Sequence, residues 1–148
     1  NPATTQKLNI RSKLTHQRLL VHGKRPVRPV DSLESVNFCA DVHRELEAMR
    51  FRSIQRIQTY GWPHILRGNS FFCVNAAETG KTFTYLPAIC SSVVRLHDED
   101  LAPKGAGPLV IIMCRSSREV QRVASYCKRI LNTSISKSLS VLEAYGAR

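Results

Sequence analysis

Apolar residues recur along the chain at two different spacings. A helical spacing, first visible in Val42, Leu46 and Met49, predicts four helices, over residues 41–49, 54–66, 82–97 and 117–131. Gly61 and Pro63 would interrupt the second helix, because neither residue favours a helix interior. A further short helix is expected near residues 6–20, before a stretch that contains glycine and proline.

Three short apolar runs lie between or after these helices and are expected to be buried strands. They occupy residues 71–74, 109–114 and 139–142. Strands that alternate with helices predict an α/β fold, in which a mostly parallel sheet is flanked by helices and its crossovers are right-handed. Ligands of such a sheet bind at the carboxyl ends of its strands. The polar segment 98–108 is expected to be a loop.

The segment 75–82 ends in Gly-Lys-Thr and stands between a predicted strand and a predicted helix. This context is typical of a phosphate-binding loop, in which backbone N–H groups and a helix N-terminus surround an anion. Gly80 suits the close approach of the backbone, and Lys81 is the candidate for contact with the outer phosphates. The Thr82 hydroxyl is the candidate ligand for Mg²⁺.

This loop departs from the full pattern at two positions. Asn75 stands where the pattern has glycine, and Glu78 places a carboxylate in the middle of the loop. A carboxylate that faces a triphosphate repels it, and a side chain at a glycine position strains or reorients the backbone. Nucleotide binding is therefore expected to be weak or absent. The alternative is a loop in which Gly80, Lys81 and Thr82 suffice.

The charge of the chain is strongly positive and unevenly distributed. The 148 residues include 22 Lys and Arg against 11 Asp and Glu, which gives a formal net charge of +11 at pH 7. Residues 1–30 hold basic residues and no acid, so residues 1–37 are interpreted as a basic N-terminal extension and 38–148 as the compact domain. Such a field attracts polyanions, and RNA or DNA is the first partner to consider. A solvated tail, or an acidic protein surface as the partner, is the alternative.

Composition fits one globular domain. The hydrophobic fraction is 43%, and no apolar run is long enough to span a bilayer, so we expect a soluble protein without a membrane partner. The five cysteines are odd in number and scattered, which favours reduced thiols inside a cell, most of them as small core residues.

Several motifs, taken in order, resemble a known family. The segment 51–58 is followed by Gly61-Trp62-Pro63, Gly68, the loop 75–82, Tyr85-Leu86-Pro87-Ala88-Ile89 and the segment 107–112. This order resembles the first RecA-like domain of the DEAD-box RNA helicases, from about residue 21 to residue 146. The resemblance implies a RecA-like P-loop domain that binds ATP, Mg²⁺ and RNA, although nearly every motif is degraded.

The resemblance assigns further nucleotide contacts. Phe38 and Gln58 match the aromatic residue and the glutamine that hold adenine in the family, a role that suits an aromatic face and an amide that both donates and accepts. Thr79, with the Gly-Lys-Thr ending, completes the implied ATP site. A core position for Phe38 and a helix-surface position for Gln58 are the alternatives.

The resemblance also assigns an RNA contact at the start of the fourth predicted helix. Arg115, Ser116, Ser117 and Arg118 occupy the place of a motif that touches the RNA backbone in the family, and Gly146 matches the start of a glycine motif. The helix start offers free N–H groups, and the arginines bring positive charge to the same turn. A helix N-cap formed by Ser116, with solvated arginines, is the alternative.

Two functions follow from this resemblance. The Asp-Glu-Ala-Asp motif and a second RecA-like domain are not among these residues, so we expect part of a longer protein, assign no catalytic residue and expect no ATP hydrolysis from this segment alone. One function is a helicase-like RNA-binding scaffold with a degenerate ATP site; its divergence looks like that of the Tudor-domain, Yb-type proteins of the piRNA pathway. The other is an active ATP-dependent RNA helicase that remodels RNA or ribonucleoprotein. We expect a cytoplasmic location in ribonucleoprotein granules, with granule proteins as partners. A nuclear location is the alternative.

Overall fold

A computed structural model describes residues 21, 27–51, 53–101, 105, 107–131 and 139–146. Within these ranges lie four α-helices: α1 (Ala40–Ala48), α2 (Arg56–Leu66), α3 (Lys81–Asp98) and α4 (Ser117–Leu131). The four helices predicted from the apolar spacing are thus confirmed, with small shifts at their ends. The helix expected near residues 6–20 lies outside the described residues. None of the helices in these ranges is long and apolar enough to cross a membrane.

The predicted RecA-like α/β fold with a mostly parallel sheet is wrong for the described part of the chain, which contains no β-strand. The segments 71–74, 109–114 and 139–142 form no backbone ladder with one another or with another described segment. A strand requires a partner backbone to satisfy its N–H and C=O groups, whereas an apolar run specifies only which side chains avoid water. The described architecture is therefore four packed helices with irregular connections.

The three apolar runs are packed on one side only. Phe72 is 90% exposed and Met113 92% exposed, whereas the adjacent Cys73 and Ile112 are half-buried. Leu142, in the third run, is also exposed. The helices therefore cover one side of these runs and leave large apolar side chains in contact with solvent.

Two prolines lie inside helices, and each leaves a backbone carbonyl without its helical donor. Pro63 in α2 cannot donate to the Thr59 carbonyl, and the backbone N–H of Val30 donates to it instead, at 2.9 Å. Pro87 in α3 likewise cannot donate to the carbonyl four residues earlier. The replacement hydrogen bond from Val30 explains why α2 continues through Pro63, where the sequence predicted an interruption.

The second carbonyl is satisfied by a side chain. Trp62 is fully buried, and its indole Nε1–H donates to the carbonyl of Phe83, at 2.7 Å. This is the carbonyl that Pro87 leaves without a helical donor. One side chain thus fills the core between α2 and α3 and completes the hydrogen bonds of α3.

The same two helices approach each other closely at Gly61. A Cβ atom added to Gly61 would lie 2.1 Å from the Cγ2 of Thr84, so α2 and α3 could not keep this spacing with a larger residue there. The core around this contact contains the fully buried Leu46, Leu86 and Ile130. Full burial of a side chain of this size contributes roughly 1.5–3 kcal/mol.

The described part of the predicted N-terminal extension lies on the helices. Leu33 and Val36 belong to the hydrophobic core. The guanidinium of Arg95 donates to the backbone carbonyl of Asn37 at 2.7 Å, and the backbone N–H of Cys39 donates to the Ser91 hydroxyl at 2.7 Å. These two bonds hold the start of α1 against α3.

Three helices end in the same hydrogen-bonded motif, with a residue of positive φ just after the helix. Gly68 takes this position after α2, with a φ of 71°, where glycine is the favoured residue. Arg50 takes it after α1 and Asp100 after α3, with φ values of 56° and 51°. In each case the next residue donates its N–H to a carbonyl of the last helical turn. Arg50 and Asp100 hold a conformation that is strained for residues with a Cβ.

A candidate nucleotide and RNA site

The predicted phosphate loop lies directly before α3, which begins at Lys81. Gly80 is the N-cap residue, and its φ of 83° belongs to the left-handed region. Glu78 also has a positive φ, of 59°. The sequence predicted strain at Glu78, and a left-handed backbone at this exposed glutamate is the form that the strain takes.

The side chain of Lys81 turns back onto the loop. Its ammonium donates to the backbone carbonyl of Asn75 at 2.8 Å and also to the carbonyl of Ala76. The hydroxyl of Thr79 donates to the same Ala76 carbonyl, at 2.8 Å. The Lys81 ammonium, which is the predicted phosphate contact, therefore already donates hydrogen bonds to oxygen atoms of the loop. A phosphate would have to replace these bonds.

The nearby backbone could nevertheless receive an anion. Within the described residues, the N–H groups of residues 77–82 have no hydrogen-bond acceptor. They cluster at the N-terminus of a long helix, where the helix dipole adds partial positive charge. The donors thus fit a phosphate group, while the carboxylate of Glu78 in the same loop opposes it.

Gln58 is buried and uses both ends of its amide within the protein. Its Oε1 accepts from the backbone N–H of Gln55 at 2.8 Å, and its Nε2 donates to the Gly80 carbonyl at 3.2 Å. With only 1% of its surface exposed, Gln58 connects the start of α2 to the phosphate loop. A base could engage this amide only by displacing one of these bonds.

Phe38 lies in the hydrophobic core and is 5% exposed. Its ring packs edge-on against Trp62, with 5.3 Å between ring centroids, and at an angle against His43, at 5.5 Å. The structure therefore brings Gln58 to the phosphate loop and places Phe38 in the core beside Trp62. The adenine contact of Phe38 stays a prediction, and it would require the ring to leave this packing.

Thr82, the candidate Mg²⁺ ligand, is half-buried in the first turn of α3. Burial raises the pKa of Tyr85, the charge of Glu119 raises it further, and a hydrogen bond with the Thr82 hydroxyl acts in the opposite direction. Phe83, in the same turn as Thr82, packs edge-on against Tyr126 of α4, with 5.0 Å between ring centroids. The first turn of α3, which follows the phosphate loop, therefore lies against α4.

The predicted RNA residues lie at the N-terminus of α4. The Ser116 hydroxyl accepts from the backbone N–H of Glu119 at 3.3 Å, and the Glu119 carboxylate accepts from the backbone N–H of Arg115 at 3.3 Å. These two bonds cap the helix, as one of the sequence-based alternatives predicted for Ser116. Ser117 and Arg118 are exposed in the same turn.

The guanidinium of Arg115 is exposed despite a contact with Glu119. The Arg115 side chain is 91% exposed, and its Nε lies 3.6 Å from the Glu119 carboxylate. Glu119 also lies 3.8 Å from Arg122. Pairs of this kind at an exposed surface contribute at most about 1 kcal/mol, so they can be exchanged for contacts with a phosphate.

The segment 139–146 runs back along α4 towards its N-terminus. Lys128, near the end of the helix, pairs with Glu143 at 2.5 Å, and Gln121, nearer its start, donates to the Tyr145 hydroxyl at 3.1 Å. The direction of these contacts carries Gly146 towards the start of the helix. Two parts of the predicted RNA surface that are distant in sequence are thereby brought to one end of α4.

Three contributors to this region were not predicted from the sequence: the carbonyls of Asn75 and Ala76, which bind Lys81, and the Tyr145 hydroxyl, which anchors the last described segment. No pattern could have identified the carbonyls, because every residue has one. Tyr145 could have been noticed because it stands next to the predicted RNA residue Gly146. The hydroxyl of a tyrosine often finds a hydrogen-bond partner.

Comparison with known proteins gives a consistent set of relatives. No protein-family model matches the chain. TDRD12 of Bombyx mori, named as a candidate ATP-dependent RNA helicase, is 40% identical over 121 residues, which cover 80% of this chain and 7% of TDRD12. BoYb of Drosophila melanogaster, named in the same way, is 28% identical over 140 residues, or 82% of this chain and 13% of BoYb.

A fungal relative agrees with these two. The ATP-dependent RNA helicase DBP2 of Ajellomyces capsulatus is 32% identical over 114 residues, which cover 71% of this chain and 20% of DBP2. The chain thus spans a small part of each relative, between 7% and 20% of its length. These curated relatives are DEAD-box ATP-dependent RNA helicases, and TDRD12 and BoYb are among them. The chain is therefore similar, over most of its length, to DEAD-box ATP-dependent RNA helicases, as a divergent helicase-related segment.

Proposed function

We propose that this chain is an RNA-binding, helicase-related segment whose ATP site is weakened, and that the protein serves as a scaffold in RNA granules or in the piRNA pathway. The observation that carries the proposal is the position of Lys81. Its ammonium is held by the carbonyls of Asn75 and Ala76, in a loop that also carries the carboxylate of Glu78.

ATP binding would exchange favourable contacts for less favourable ones. The ammonium of Lys81 would lose two carbonyl oxygens, and the Glu78 carboxylate would remain in a loop that faces several phosphate charges. Each unit of like charge at about 4 Å costs roughly 1 kcal/mol in water and more near a protein surface. The unpaired N–H groups of residues 77–82 favour binding, so the expected affinity is low rather than zero.

Bound ATP with Mg²⁺ would supply the phosphoryl group and the metal for a helicase ATPase. On this chain, Lys81 would contact the outer phosphates, and the backbone N–H groups from Thr79 to Thr82 would surround them. The Thr82 hydroxyl would face the metal after leaving Tyr85. Gln58 would hold Gly80, and through it the loop, in position.

RNA binding is proposed for the start of α4. Arg115, Ser117 and Arg118 are exposed there, and the segment that ends at Gly146 approaches the same end of the helix. Arginine guanidinium groups and hydroxyls contact phosphate and sugar without reading sequence. The names of the relatives describe RNA helicases, which favours RNA over DNA.

The wider setting is also part of the proposal. A second RecA-like domain elsewhere in the protein, protein partners in ribonucleoprotein granules and a cytoplasmic location suit a helicase-related segment of this kind. TDRD12 and BoYb are relatives of the Yb type, which supports the piRNA setting of the proposal.

Titration of the chain with a fluorescent ATP analogue in Mg²⁺ tests the weakened site. We expect a dissociation constant above about 1 mM, and tighter binding after Glu78→Ser, because the opposing carboxylate is removed. Lys81→Ala removes the cation from the same loop and is the matched comparison. Micromolar binding by the unchanged chain that Lys81→Ala abolishes would contradict the weakened site.

Titration with single-stranded RNA tests the surface at α4. We expect Arg115→Ala combined with Arg118→Ala to weaken binding and to reduce its salt dependence, since each phosphate contact releases counterions. Arg129→Ala removes the same kind of charge from the other end of α4 and is the control. Equal losses from the two ends would show attraction by net charge alone and would exclude a site at the helix start.

An active ATP-dependent RNA helicase is the second candidate function. The observation that favours it is the continuous Gly-Lys-Thr ending at residues 80–82, together with backbone N–H groups that are open to an anion. RNA-stimulated ATP hydrolysis by the full-length protein, lost in Lys81→Ala, would establish this function and exclude the scaffold role.

A further inference from the structure

A cavity on the side of α1 is opposite in charge to the chain as a whole. It has a volume of about 540 Å³ and lies between the segment 31–34, the end of α1 and residues 50, 51, 53 and 54. None of the motifs that resemble helicase sites contributes its nucleotide or RNA residues to this lining. Any occupant of this cavity would therefore be separate from those of the proposed function.

The charged groups that line the cavity are mostly acidic. Among the described residues of the lining, Asp31, Glu34 and Glu47 contribute three carboxylates and Arg50 contributes one guanidinium, so these residues together carry a formal charge of −2 (one minus three). The whole chain carries +11. This local inversion of charge disfavours a phosphate or a nucleic acid as occupant and favours a cation.

The floor of the cavity is apolar. Leu33 is buried, while Phe51 and Ile54 are half-buried and pack against the hydrophobic core. Apolar surface below a ring of carboxylates suits lysine or arginine, whose aliphatic stems lie on apolar groups while their charged ends reach polar ones. The volume falls within the range typical of sites for small ligands and side chains.

The carboxylates are available for such a partner. Glu47 forms no ion pair or side-chain hydrogen bond in the described part of the chain, and Asp31 accepts only a long hydrogen bond, of 3.5 Å, from Ser35. The His, Cys, Asp and Glu side chains in that part form no group able to hold a metal ion. The lining therefore fits a cationic side chain better than a divalent metal.

We propose that this cavity is a docking site for a basic peptide segment of a partner protein, in which an arginine or lysine is flanked by apolar residues. The cationic head of the peptide pairs with Glu47 and Asp31, and its apolar stem and neighbours lie on Leu33, Phe51 and Ile54. The charge of the described lining residues and the partly buried apolar floor together define this occupant.

Fluorescence anisotropy with the complete 148-residue chain tests the proposal. The probe is a short fluorescein-labelled peptide with two arginines between leucines, and the matched probe carries citrulline, a neutral isostere, in place of each arginine. We expect saturable binding of the arginine peptide only. Absence of binding, or equal binding of the citrulline peptide, would overturn the proposal.

Two variants should change this affinity in opposite directions. Glu47→Gln should weaken binding by about two- to fivefold, because it removes one exposed charge pair, and Arg50→Gly should strengthen it by a similar factor, because it removes a like charge. Glu99→Gln makes the same charge change outside the cavity and should have no effect. Circular dichroism checks that the variants fold, and Asp31→Asn replaces Glu47→Gln if that variant does not fold.

The same variants distinguish binding in the cavity from binding elsewhere on the chain. Affinity that ignores both Glu47→Gln and Arg50→Gly would place the peptide elsewhere and overturn the proposal. An unchanged chain that ignores the peptide, but binds it after Lys7→Glu and Arg11→Glu, would assign the cavity to the basic N-terminal residues of the chain itself. That result would exclude a partner protein as the occupant.

Discussion

The amide nitrogen of Gln58 lies 3.2 Å from the carbonyl oxygen of Gly80, and this bond joins α2 to the start of α3. A Cβ added at residue 80 would lie 2.7 Å from that nitrogen, so the Gln58 side chain would have to shift. The same residue has a φ of 83°, which a residue with a Cβ adopts only under strain. Gly80 is thus required twice, for its conformation and for the contact with Gln58.

Gly80→Ala should therefore lower the free energy of unfolding. The left-handed conformation alone costs about 1–2 kcal/mol for a residue with a Cβ, and the contact with Gln58 adds to this. Urea unfolding followed by the fluorescence of Trp62, the single tryptophan, measures the change. Gly146→Ala is the control, because nothing lies within 4 Å of a Cβ added there. Equal stabilities of the two variants would contradict this account of Gly80.

The bond between Trp62 and Phe83 gives a second prediction. Trp62→Phe keeps an aromatic ring in the core but leaves the Phe83 carbonyl without a donor, which costs about 1–3 kcal/mol for a buried group. Pro87→Ala returns a backbone N–H to the position four residues after Phe83. In the Pro87→Ala background, Trp62→Phe should therefore cost less.

A double-mutant cycle of these two changes measures the coupling. Thermal or urea unfolding of the four proteins gives an interaction free energy, which is expected on the order of 1 kcal/mol because the two donors serve one carbonyl. If Trp62→Phe costs the same in both backgrounds, its effect arises from core packing, and the indole bond is not what allows α3 to tolerate Pro87.

The sequence predicted the helices well because their apolar faces repeat locally. Val42 and Leu46 are fully buried on α1, as their spacing requires, and a helix needs no partner to form its own backbone bonds. The prediction of a sheet was wrong for the complementary reason. The run that contains Ile111 and Met113 has the residue types of a strand, but nothing in the run specifies a neighbouring backbone to pair with.

The candidate site shows the same division between local and distant information. The Gly-Lys-Thr ending, placed before a segment of helical spacing, predicted the start of α3. The bonds of Gln58 could not be predicted, since Gly80 is 22 residues away in the sequence. The helix-surface alternative for Gln58 fails because α3 covers it, and burial of that kind depends on tertiary packing rather than on helical periodicity.

The end of α1 offers a way to stabilise the protein. Arg50 holds a φ of 56° in a position where glycine is favoured, while its N–H and that of Phe51 complete the motif that ends the helix. Arg50→Gly removes the strain of about 1–2 kcal/mol and adds an entropic cost of about 0.5–1 kcal/mol, so a net gain of between about 0 and about 1.5 kcal/mol is expected.

Gly68→Ala is the matched opposite change, because Gly68 occupies the equivalent position after α2 with a φ of 71°. It should destabilise the protein by about 1 kcal/mol. The urea midpoints of the two variants, compared at an unchanged m-value, test both expectations. A loss of stability in Arg50→Gly would show that the Arg50 side chain contributes more than its conformation costs.

His64 should make stability depend on pH. Burial lowers the pKa of His64 below its ordinary value of 6.5, and the charge of Arg67 lowers it further. The ring Nδ1 lies 3.4 Å from the side-chain nitrogen of Asn69, and Nε2 is buried without a partner. The unfolded chain therefore binds a proton at His64 more readily than the folded chain does.

Because the folded pKa of His64 is lowered, its contribution to stability is complete above pH 6.5 and is lost as the pH falls through the unfolded value towards the folded one. His64→Gln should flatten the dependence of the unfolding free energy on pH in this window. Asn69→Asp should act differently, since a carboxylate beside Nδ1 stabilises the imidazolium and raises the pKa of His64. Urea unfolding across this pH range measures both slopes. If His64→Gln leaves the slope unchanged while Asn69→Asp alters it only through its own titration, the buried imidazole is not the group that makes stability depend on pH.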